Sequence, residues 1–437
     1  MPSPMTRVAH ATLRGPNARR RPPALRRLGR AAPALAACAL LAACATGPRN
    51  PVPEADLDAA APYGITIDGR PIRTWGDSTD LEEARSLQSA YLGRIAQRIA
   101  AKTEQSASGP PGAPLAMTAL TLSGGGADGA FGAGLLNGWT VSGERPEFDI
   151  VTGVSTGAII ATFAFAGPDY DDELTAVYTT YETADLLSPT LFSALTGGSA
   201  AVADTAGYRA LIETYVDDAL MRRLAEEHAK GRTLLIGTTN LDASRPVIWN
   251  VSAIAATGHP DARRLVVDVI EASSAIPVAF PPVVIPVETP DGRRFDEMHV
   301  DGGATNQVFL FSPNLPANMI DAELGLAFDR TIYVVLNNRL RKSYEPVRRR
   351  ILPIAATSAS SLIGGSGSGD VYRIFAIAQR DGVALQVVGI PPEFQRQPEE
   401  PFDPDYMQAL YDLGFQTGLA GEAWSPYPPG FQPPDDD

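Results

Sequence analysis

The chain has 437 residues, of which 44% are hydrophobic and 20% are charged. This composition supports a substantial buried core and excludes disorder as the dominant state, because disordered chains are poorer in apolar residues. Residues 1–43 hold eight arginines and no acidic residue, which leaves 28 basic and 50 acidic residues in the remainder. The strong excess of acidic residues in this part of the chain predicts no nucleic-acid partner, because nucleic-acid binding needs a basic surface.

The N-terminal segment has the pattern of a secretory signal. An Arg- and Pro-rich leader precedes an apolar, Ala-rich run from Ala31 to Cys44. That run is shorter than the roughly 20 apolar residues that span a bilayer. A basic flank, a short apolar stretch and small residues predict a cleaved signal peptide over residues 1–43.

Both cysteines of the chain lie in this segment, and each follows the residues Leu-Ala-Ala. Cys38 and Cys44 therefore resemble the acylated cysteine of a bacterial lipobox. Cys44 is the better candidate, because it leaves a full apolar region upstream. The resemblance implies a lipid-anchored protein, and Ala45, in place of Asp, favours the outer membrane, with either face open. The alternative is an Ala-rich signal whose cysteines are incidental.

The predicted elements follow in chain order. Residues 44–78 begin rich in Pro, Ala and Asp and are interpreted as a tether. Residues 79–114 are predicted to be an amphipathic helix over 79–103 and then a Gly- and Pro-rich loop over 106–114.

From Leu115 onward the sequence alternates between strand and helix patterns. The predicted strands are Ala116–Leu122, Phe148–Thr152, Leu234–Thr239, Arg245–Asn250, Thr331–Leu336 and Leu385–Ile390. The predicted helices are Ala127–Gly138, Ala158–Ala166, Arg263–Ser274 and Tyr406–Ala423. Two strand–glycine turn–helix units in succession predict a parallel α/β sheet. The segment Gly364–Gly369 is expected to be a loop, either a linker or a lid, and residues 426–437 a disordered tail.

The first chemical motif is Gly153-Val154-Ser155-Thr156-Gly157, which has the form G-x-S-x-G. Between a strand and a helix, this form is typical of a nucleophile elbow that exposes the serine hydroxyl. The helix that follows directs its positive N-terminal end toward the site. Taken alone the motif is weak, because glycine and serine are common in turns.

The second motif is the glycine turn at Gly124–Gly126, which is followed by Gly129. Backbone N–H groups in such a turn converge without interference from Cβ atoms, as an oxyanion hole for acyl transfer requires. The spacing also fits a dinucleotide-binding turn. That alternative needs an acidic residue near the end of the next strand, where this sequence has the serine turn instead.

The third motif, Asp301-Gly302-Gly303, would by itself indicate only a β-turn. In this order, however, the three motifs resemble the patatin-like phospholipases. Residues 272–282, with the sequence Ala-Ser-Ser-Ala-Ile-Pro-Val-Ala-Phe-Pro-Pro, resemble the family's stretch ahead of the aspartate. The resemblance covers roughly residues 115–311.

The resemblance implies a three-layer α/β/α fold with a mainly parallel central sheet. Residues 115–311 would be the catalytic core and 312–425 the C-terminal part of the same domain. Ser155 would be the nucleophile, Asp301 the proton acceptor, and Gly124–Gly126 the oxyanion hole. The family works as a Ser-Asp dyad that requires no histidine, so the expected activity is hydrolysis of acyl esters in membrane glycerolipids or lysolipids. No cofactor is predicted for this chain.

Other interpretations stay open at this point. Asp128 stands where family members usually carry Arg or Lys, which leaves a catalytically weak lipid- or partner-binding lipoprotein as an alternative, and a small-ester esterase as another. A Ser-His-Asp triad would need His228, His259 or His299.

Two charged runs have simple explanations. No metal site is predicted, because the acidic run Asp169–Glu173 is typical of a helix N-terminus rather than of a calcium loop. The basic run Arg348–Arg350 is expected to be a solvated helix end, with contact to a lipid head group as the alternative.

Overall fold

The structure is a computed structural model that describes residues 49–78, 92–102, 115–189, 203–310, 321, 328–339, 346–431 and 433. The predicted signal peptide, Cys44 and the predicted loop over 106–114 lie outside these residues. The elements below all belong to the compact unit Asn50–Asp437.

The strands are numbered in chain order. They are β1 (Ala61–Pro62), β2 (Thr66–Ile67), β3 (Arg70–Pro71), β4 (Arg73–Trp75), β5 (Leu115–Leu122), β6 (Ile150–Val154), β7 (Ser188–Pro189), β8 (Ala203–Asp204), β9 (Thr233–Asn240), β10 (Arg245–Asn250), β11 (Val283–Glu288), β12 (Arg294–Asp301), β13 (Phe328–Leu336) and β14 (Ala384–Gly389).

The helices are numbered in the same way. They are α1 (92–102), α2 (Gly129–Ser142), α3 (Thr156–Ala166), α4 (Asp171–Thr179), α5 (Thr183–Leu186), α6 (Ala206–Tyr215), α7 (Asp218–Ala229), α8 (Val251–Ala256), α9 (Ala262–Ser273), α10 (Ile351–Asp381) and α11 (Pro404–Ala420). Each of the four helices predicted from Leu115 onward is present, with ends shifted by at most four residues.

Ten of the strands form one mixed sheet. Its order is β1-β11-β12-β9-β6-β5-β13-β14, with β10 paired to β9 and β4 paired to β10. The strands β9, β6, β5, β13 and β14 run parallel, whereas the pairs that involve β1, β4, β10, β11 and β12 are antiparallel. The predicted parallel centre is therefore confirmed, and an antiparallel extension is added at one side.

Helices cover both faces of the sheet. Successive side chains of a strand point to opposite faces, and those of β13 follow this rule: Val334 and Val335 belong to different hydrophobic cores. The larger core contains residues of α2, α3, α4 and α11, and the smaller one contains Val371, Ile374 and Ala378 of α10. This arrangement confirms the predicted three-layer α/β/α fold.

The prediction of a tether is wrong for residues 50–77. Strand β1 pairs with β11, and β4 pairs with β10 at the edge of the main sheet. Arg73 of β4 forms a buried ion pair with Glu297 of β12. The Pro- and Ala-rich composition concealed these strands, because their partners lie more than 170 residues later in the chain.

The prediction of a loop at Gly364–Gly369 is also wrong. The whole segment lies within α10, which runs without interruption for 31 residues. Glycine disfavours a helix by about 1 kcal/mol per residue, but tertiary contacts override that preference here. Gly367 is buried, and a Cβ on it would lie 3.3 Å from the Cβ of Gln307.

The tail is ordered over part of the stretch that composition predicts to be disordered. Ser425 exchanges backbone hydrogen bonds with Val387 of β14. The rings of Tyr427 and Phe431 pack against Phe375 of α10, with centroids 6.2 and 5.0 Å from it. Aromatic contacts therefore hold residues 426–431 on the fold despite their proline content.

Candidate active site

Ser155 occupies the turn between β6 and α3. Its φ of 57° and ψ of −129° lie in a region that residues with side chains rarely adopt. Such backbone strain costs roughly 1–3 kcal/mol and concentrates at active sites. The flanking glycines fit the turn: a Cβ on Gly153 would strike the Gly157 carbonyl, and one on Gly157 the end of β5. Ser155 therefore sits at a strand–helix elbow, as the motif predicts.

Strand register brings Asp301 to the end of the strand that carries Ser155. Strand β6 pairs with β9 up to Val154, which lies opposite Gly237. Strand β12 approaches along β9 from the other direction and ends with Asp301 opposite Thr238. Because Gly237 and Thr238 are consecutive, β6 and β12 meet nearly end to end. The serine turn and the aspartate therefore lie next to each other.

The environment of Asp301 makes it a stronger base than a free aspartate. Only 2% of the residue is exposed, and burial raises the pKa of its carboxyl to about 6. The Ser155 hydroxyl and the Gly303 N–H, which donates to Oδ1 at 2.7 Å, both stabilise the carboxylate and offset part of that rise in pKa.

The turn Gly124–Gly126 follows β5 and lies beside Ser155. Within the described residues, no acceptor bonds to the backbone N–H groups of these three glycines. Asn337 holds the start of the turn, since its backbone N–H donates to Ser123 Oγ at 2.8 Å and its Nδ2 to the Ser123 carbonyl at 2.9 Å. A Cβ on Gly125 would lie 1.5 Å from the Asn337 carbonyl oxygen. The turn is thus fixed, with donors left for a ligand.

The segment 272–282 ties the serine and the aspartate together. The Ser155 N–H donates to Ser273 Oγ at 2.9 Å, and that hydroxyl donates to the Gly237 carbonyl at 2.7 Å. The Asp301 N–H donates to the Ala275 carbonyl at 3.0 Å. Two residues of one short segment therefore fix the backbones of both candidate catalytic residues.

Residues 120–318, a little under half of the chain, match the family model of the patatin-like phospholipases. The chain contains a patatin-like phospholipase domain. No curated protein matches the chain in sequence.

Two solved structures are similar to the chain. The crystal structure of VipD from Legionella pneumophila shares 13% identity with a TM-score of 0.37, over 72% of this chain and 68% of that one. The type III effector protein ExoU shares 15% identity with a TM-score of 0.22, over 72% of this chain and 56% of that one. Both TM-scores are too low to support an inference.

The remaining motif glycines of the patatin-like domain lie where chain segments approach one another closely. A Cβ on Gly129 would meet the side chain of Thr156, so the starts of α2 and α3 are in contact. A Cβ on Gly302 would lie 2.5 Å from the Gly237 carbonyl oxygen. These contacts bring the three motifs into one site.

The side chain of Asp128, the departure from the family pattern, accepts a hydrogen bond from α11. The hydroxyl of Tyr406 in α11 donates to Asp128 Oδ1 at 2.5 Å, and Arg339 donates to the same hydroxyl at 3.1 Å. The Arg339 guanidinium also stacks on the rings of Phe394 and Tyr406. The Asp128 carboxylate is thus linked through the Tyr406 hydroxyl to the Arg339 guanidinium.

The three histidines outside the leader bond to other partners. His299 is fully buried, with Nδ1 3.0 Å from Thr238 Oγ1 and Nε2 3.1 Å from Glu297 Oε2, and burial lowers its pKa. His228 Nδ1 lies 3.0 Å from Ser252 Oγ. His259 accepts a hydrogen bond from a backbone N–H two residues later. None of these contacts reaches Ser155 or Asp301, so they do not support a triad.

The charged runs lie at helix starts. Asp169–Glu173 spans a short 3₁₀ turn and the first turn of α4. Arg348–Arg350 is exposed immediately before α10. Across the described ranges, no cluster of three or more His, Cys, Asp or Glu side chains has an arrangement that would hold a metal ion.

Sequence reasoning missed three residues that shape the site: Ser273, Asn337 and Gln307. Ser273 lies within the segment that carries the family resemblance, but no motif assigns it a contact. Asn337 follows a predicted strand, and Gln307 follows the aspartate motif. Only the folded structure shows that both residues reach the glycine turn.

Proposed function

We propose that the protein is a serine acyl hydrolase that cleaves fatty acyl esters of membrane glycerolipids or lysolipids. The observation that carries the proposal is the strand register. It joins a strained serine turn, a buried aspartate of raised pKa and a glycine turn with free N–H groups. Nucleophilic acyl transfer needs these three parts within one site.

In the acylation step, Ser155 Oγ attacks the ester carbonyl and its proton passes to Asp301. The N–H groups of Gly124–Gly126 bind the oxyanion of the tetrahedral intermediate. When the intermediate collapses, Asp301 returns the proton to the departing alcohol, and Ser155 keeps the acyl group.

In the deacylation step, a water molecule attacks the acyl-enzyme and gives a proton to Asp301. The second intermediate releases the fatty acid as Asp301 protonates Ser155 Oγ. One carboxylate thus serves as base and acid in both halves, and a pKa of about 6 suits it for both roles at neutral pH.

Acyl release by the chain from Asn50 onward tests the proposal. We would compare short and long p-nitrophenyl esters, a diacyl phospholipid and a lysophospholipid, using Ser155→Ala, Asp301→Asn and His299→Gln. We expect turnover and fluorophosphonate labelling to disappear in Ser155→Ala, turnover to disappear in Asp301→Asn, and both to remain in His299→Gln.

Other outcomes would redirect the proposal. Hydrolysis restricted to short esters would indicate a small-ester esterase. A wild-type protein with neither turnover nor labelling would overturn the enzyme assignment and favour a lipid- or partner-binding protein.

Lipid anchoring at Cys44 is a second part of the proposal and rests on the sequence pattern. Among the residues that the structure describes, no helix has the length and apolar character needed to cross a bilayer. We expect cells that express Cys44→Ser to lose incorporation of labelled palmitate, whereas Cys38→Ser keeps it. Equal incorporation in both variants would contradict the assignment of Cys44.

A further inference from the structure

Gln307 places an unused hydrogen-bond acceptor inside the candidate active site. The residue is 3% exposed, and within the described part of the chain its Oε1 has no hydrogen-bond partner. A Cβ on Gly124 would lie 2.8 Å from this oxygen and 3.0 Å from the Cβ of Ser155. The amide oxygen and the side chain of the nucleophile therefore lie close together on the same side of the glycine turn.

Neighbouring residues fix the position of Gln307. Its backbone N–H donates to Asp370 Oδ2 at 2.7 Å, and the N–H of Val308 donates to the same oxygen at 3.3 Å. Asp370 is a buried residue of α10, and Gly367, about one turn earlier, lets the helix approach the Cβ of Gln307. Gly367 and Asp370 of α10 therefore fix where the backbone and the Cβ of Gln307 lie.

A buried acceptor without a donor is costly. It forfeits the hydrogen bond that water would provide, and native proteins contain few such groups. The free N–H groups of Gly124–Gly126 already supply donors for an oxyanion. An acceptor beside them would repel an oxyanion, so the missing partner of Gln307 is a donor that arrives from solution.

We propose that Gln307 positions the water molecule that hydrolyses the acyl-enzyme, an inference that rests on the proposed function. Gln307 Oε1 accepts a hydrogen bond from one O–H of the water, and Asp301 takes the proton of the other. The water oxygen bonds to the acyl carbon, and the bond from that carbon to Ser155 Oγ then breaks. Oγ recovers its proton from Asp301, so every atom and proton is accounted for.

During acylation the same site must also hold the alcohol that leaves a lipid ester. The alcohol departs along the path by which water attacks during deacylation, in the reverse direction. A p-nitrophenolate needs no proton when it leaves. With a p-nitrophenyl ester, Gln307 therefore affects deacylation and leaves acylation unchanged, and this separation makes the inference testable.

The experiment compares wild type with Gln307→Met, which keeps side-chain length but removes the acceptor, and with Gln307→Glu, which keeps an acceptor. Gln408→Met, an exposed site on α11, is the matched control. For each protein we would measure the fluorophosphonate labelling rate, steady-state turnover of a p-nitrophenyl ester, trapped acyl-enzyme by intact mass, and the melting temperature.

For Gln307→Met we expect labelling within about twofold of wild type and turnover at least about tenfold lower, as for loss of a hydrogen bond in the transition state. Acyl-enzyme should accumulate, and hydroxylamine, a stronger nucleophile than water, should restore acyl release. Gln307→Glu should recover most of the turnover at pH 8, and Gln408→Met should match wild type.

Labelling and turnover that fall together in Gln307→Met would overturn the inference, as would unchanged turnover. If Gln307→Met does not fold, turnover in Gln307→Glu that is no better than in Gln307→Asn, whose shorter side chain withdraws the acceptor, would also overturn it. Failure of the proposed function would appear separately, as absent labelling and turnover in wild type.

Discussion

The parallel and antiparallel parts of the sheet supply the candidate site in different ways. The parallel strands β5 and β6 end in glycine turns that present backbone groups, namely the N–H donors of Gly124–Gly126 and the strained backbone of Ser155. The antiparallel strand β12 ends in a carboxylate, Asp301, whose surroundings come from Ser155, Gly303 and the segment around Ala275.

This difference determines which changes each part tolerates. A backbone donor survives most exchanges of nearby side chains but fails when a Cβ enters the turn. A carboxylate keeps its place after a small exchange such as Asp to Asn, but loses its chemistry. Replacing the carboxylate should therefore lower activity without lowering stability. Adding a Cβ to the glycine turn should lower both.

The largest effect is expected for Asp301→Asn. Activity should fall by about 10⁴-fold, as when a buried catalytic aspartate is replaced elsewhere. Its pKa of about 6 in the folded protein exceeds the ordinary value of 3.8, so wild type loses stability as pH rises through this interval. At 1.36 kcal/mol per pKa unit the loss is about 3 kcal/mol. The variant, which lacks this charge, should unfold at higher denaturant concentration than wild type at pH 8.

The pH dependence of that difference provides the control. The gain in unfolding free energy should vanish near pH 3, where the carboxyl is protonated in both states. A variant that is inactive but no more stable than wild type at pH 8 would contradict the description of Asp301 as a buried base of raised pKa.

On the parallel side, Gly125→Ala should lower both activity and stability. Its Cβ would lie 1.5 Å from the Asn337 carbonyl oxygen, so the turn must move. Loss of an oxyanion donor costs about 10²–10³-fold in rate. Gly126→Ala is the matched variant: its Cβ meets no atom within 4 Å, although its φ of 61° is unfavourable. Similar labelling rates and melting temperatures in the two variants would contradict this account of the turn.

The pH profile should show a smaller effect. Because Asp301 acts as a base with a pKa of about 6, kcat/KM for a neutral ester should rise with pH and level off above 7. We expect about tenfold lower activity at pH 5 than at pH 8, from the fraction of carboxylate alone. A profile that rises only below pH 4.5 would mean that burial does not shift this group.

The smallest effect is expected for Ser273→Ala, which removes the hydroxyl between the Ser155 N–H and the Gly237 carbonyl. The loss of two buried hydrogen bonds should cost about 1–3 kcal/mol in stability and about threefold to tenfold in labelling rate. Ser366→Ala, in α10, removes a hydroxyl that bonds only its own helix and serves as the control. A labelling rate equal to that of Ser366→Ala would contradict a positioning role.

Local patterns predicted the parts of the fold that depend on neighbours in sequence. The strand–turn–helix units around Gly124 and Ser155 are examples, because a buried strand, a glycine turn and an apolar helix leave their pattern within 30 residues. The antiparallel strands β11 and β12 were not predicted. They pair with each other as a hairpin across residues 289–293, and only their pairing with β1 and β9 joins distant parts of the chain, which no short pattern encodes.

The same reason explains which site residues were missed. Gln307 acquires its role from Asp370 and Gly367, about 60 residues later in the chain. The glycines of α10 indicate a loop when only helix propensity is considered. In the folded protein one of them, Gly367, gives the helix a surface narrow enough to approach Gln307.

Helix α10 also offers a way to observe the site from a distance. Leu362 is 76% exposed, whereas Gly367 and Asp370 of the same helix contact Gln307. The only two cysteines of the chain, Cys38 and Cys44, precede the fold, so a protein that begins at Asn50 has no thiol. Leu362→Cys would then carry a single fluorophore on the helix that contacts Gln307, at an exposed position outside the site.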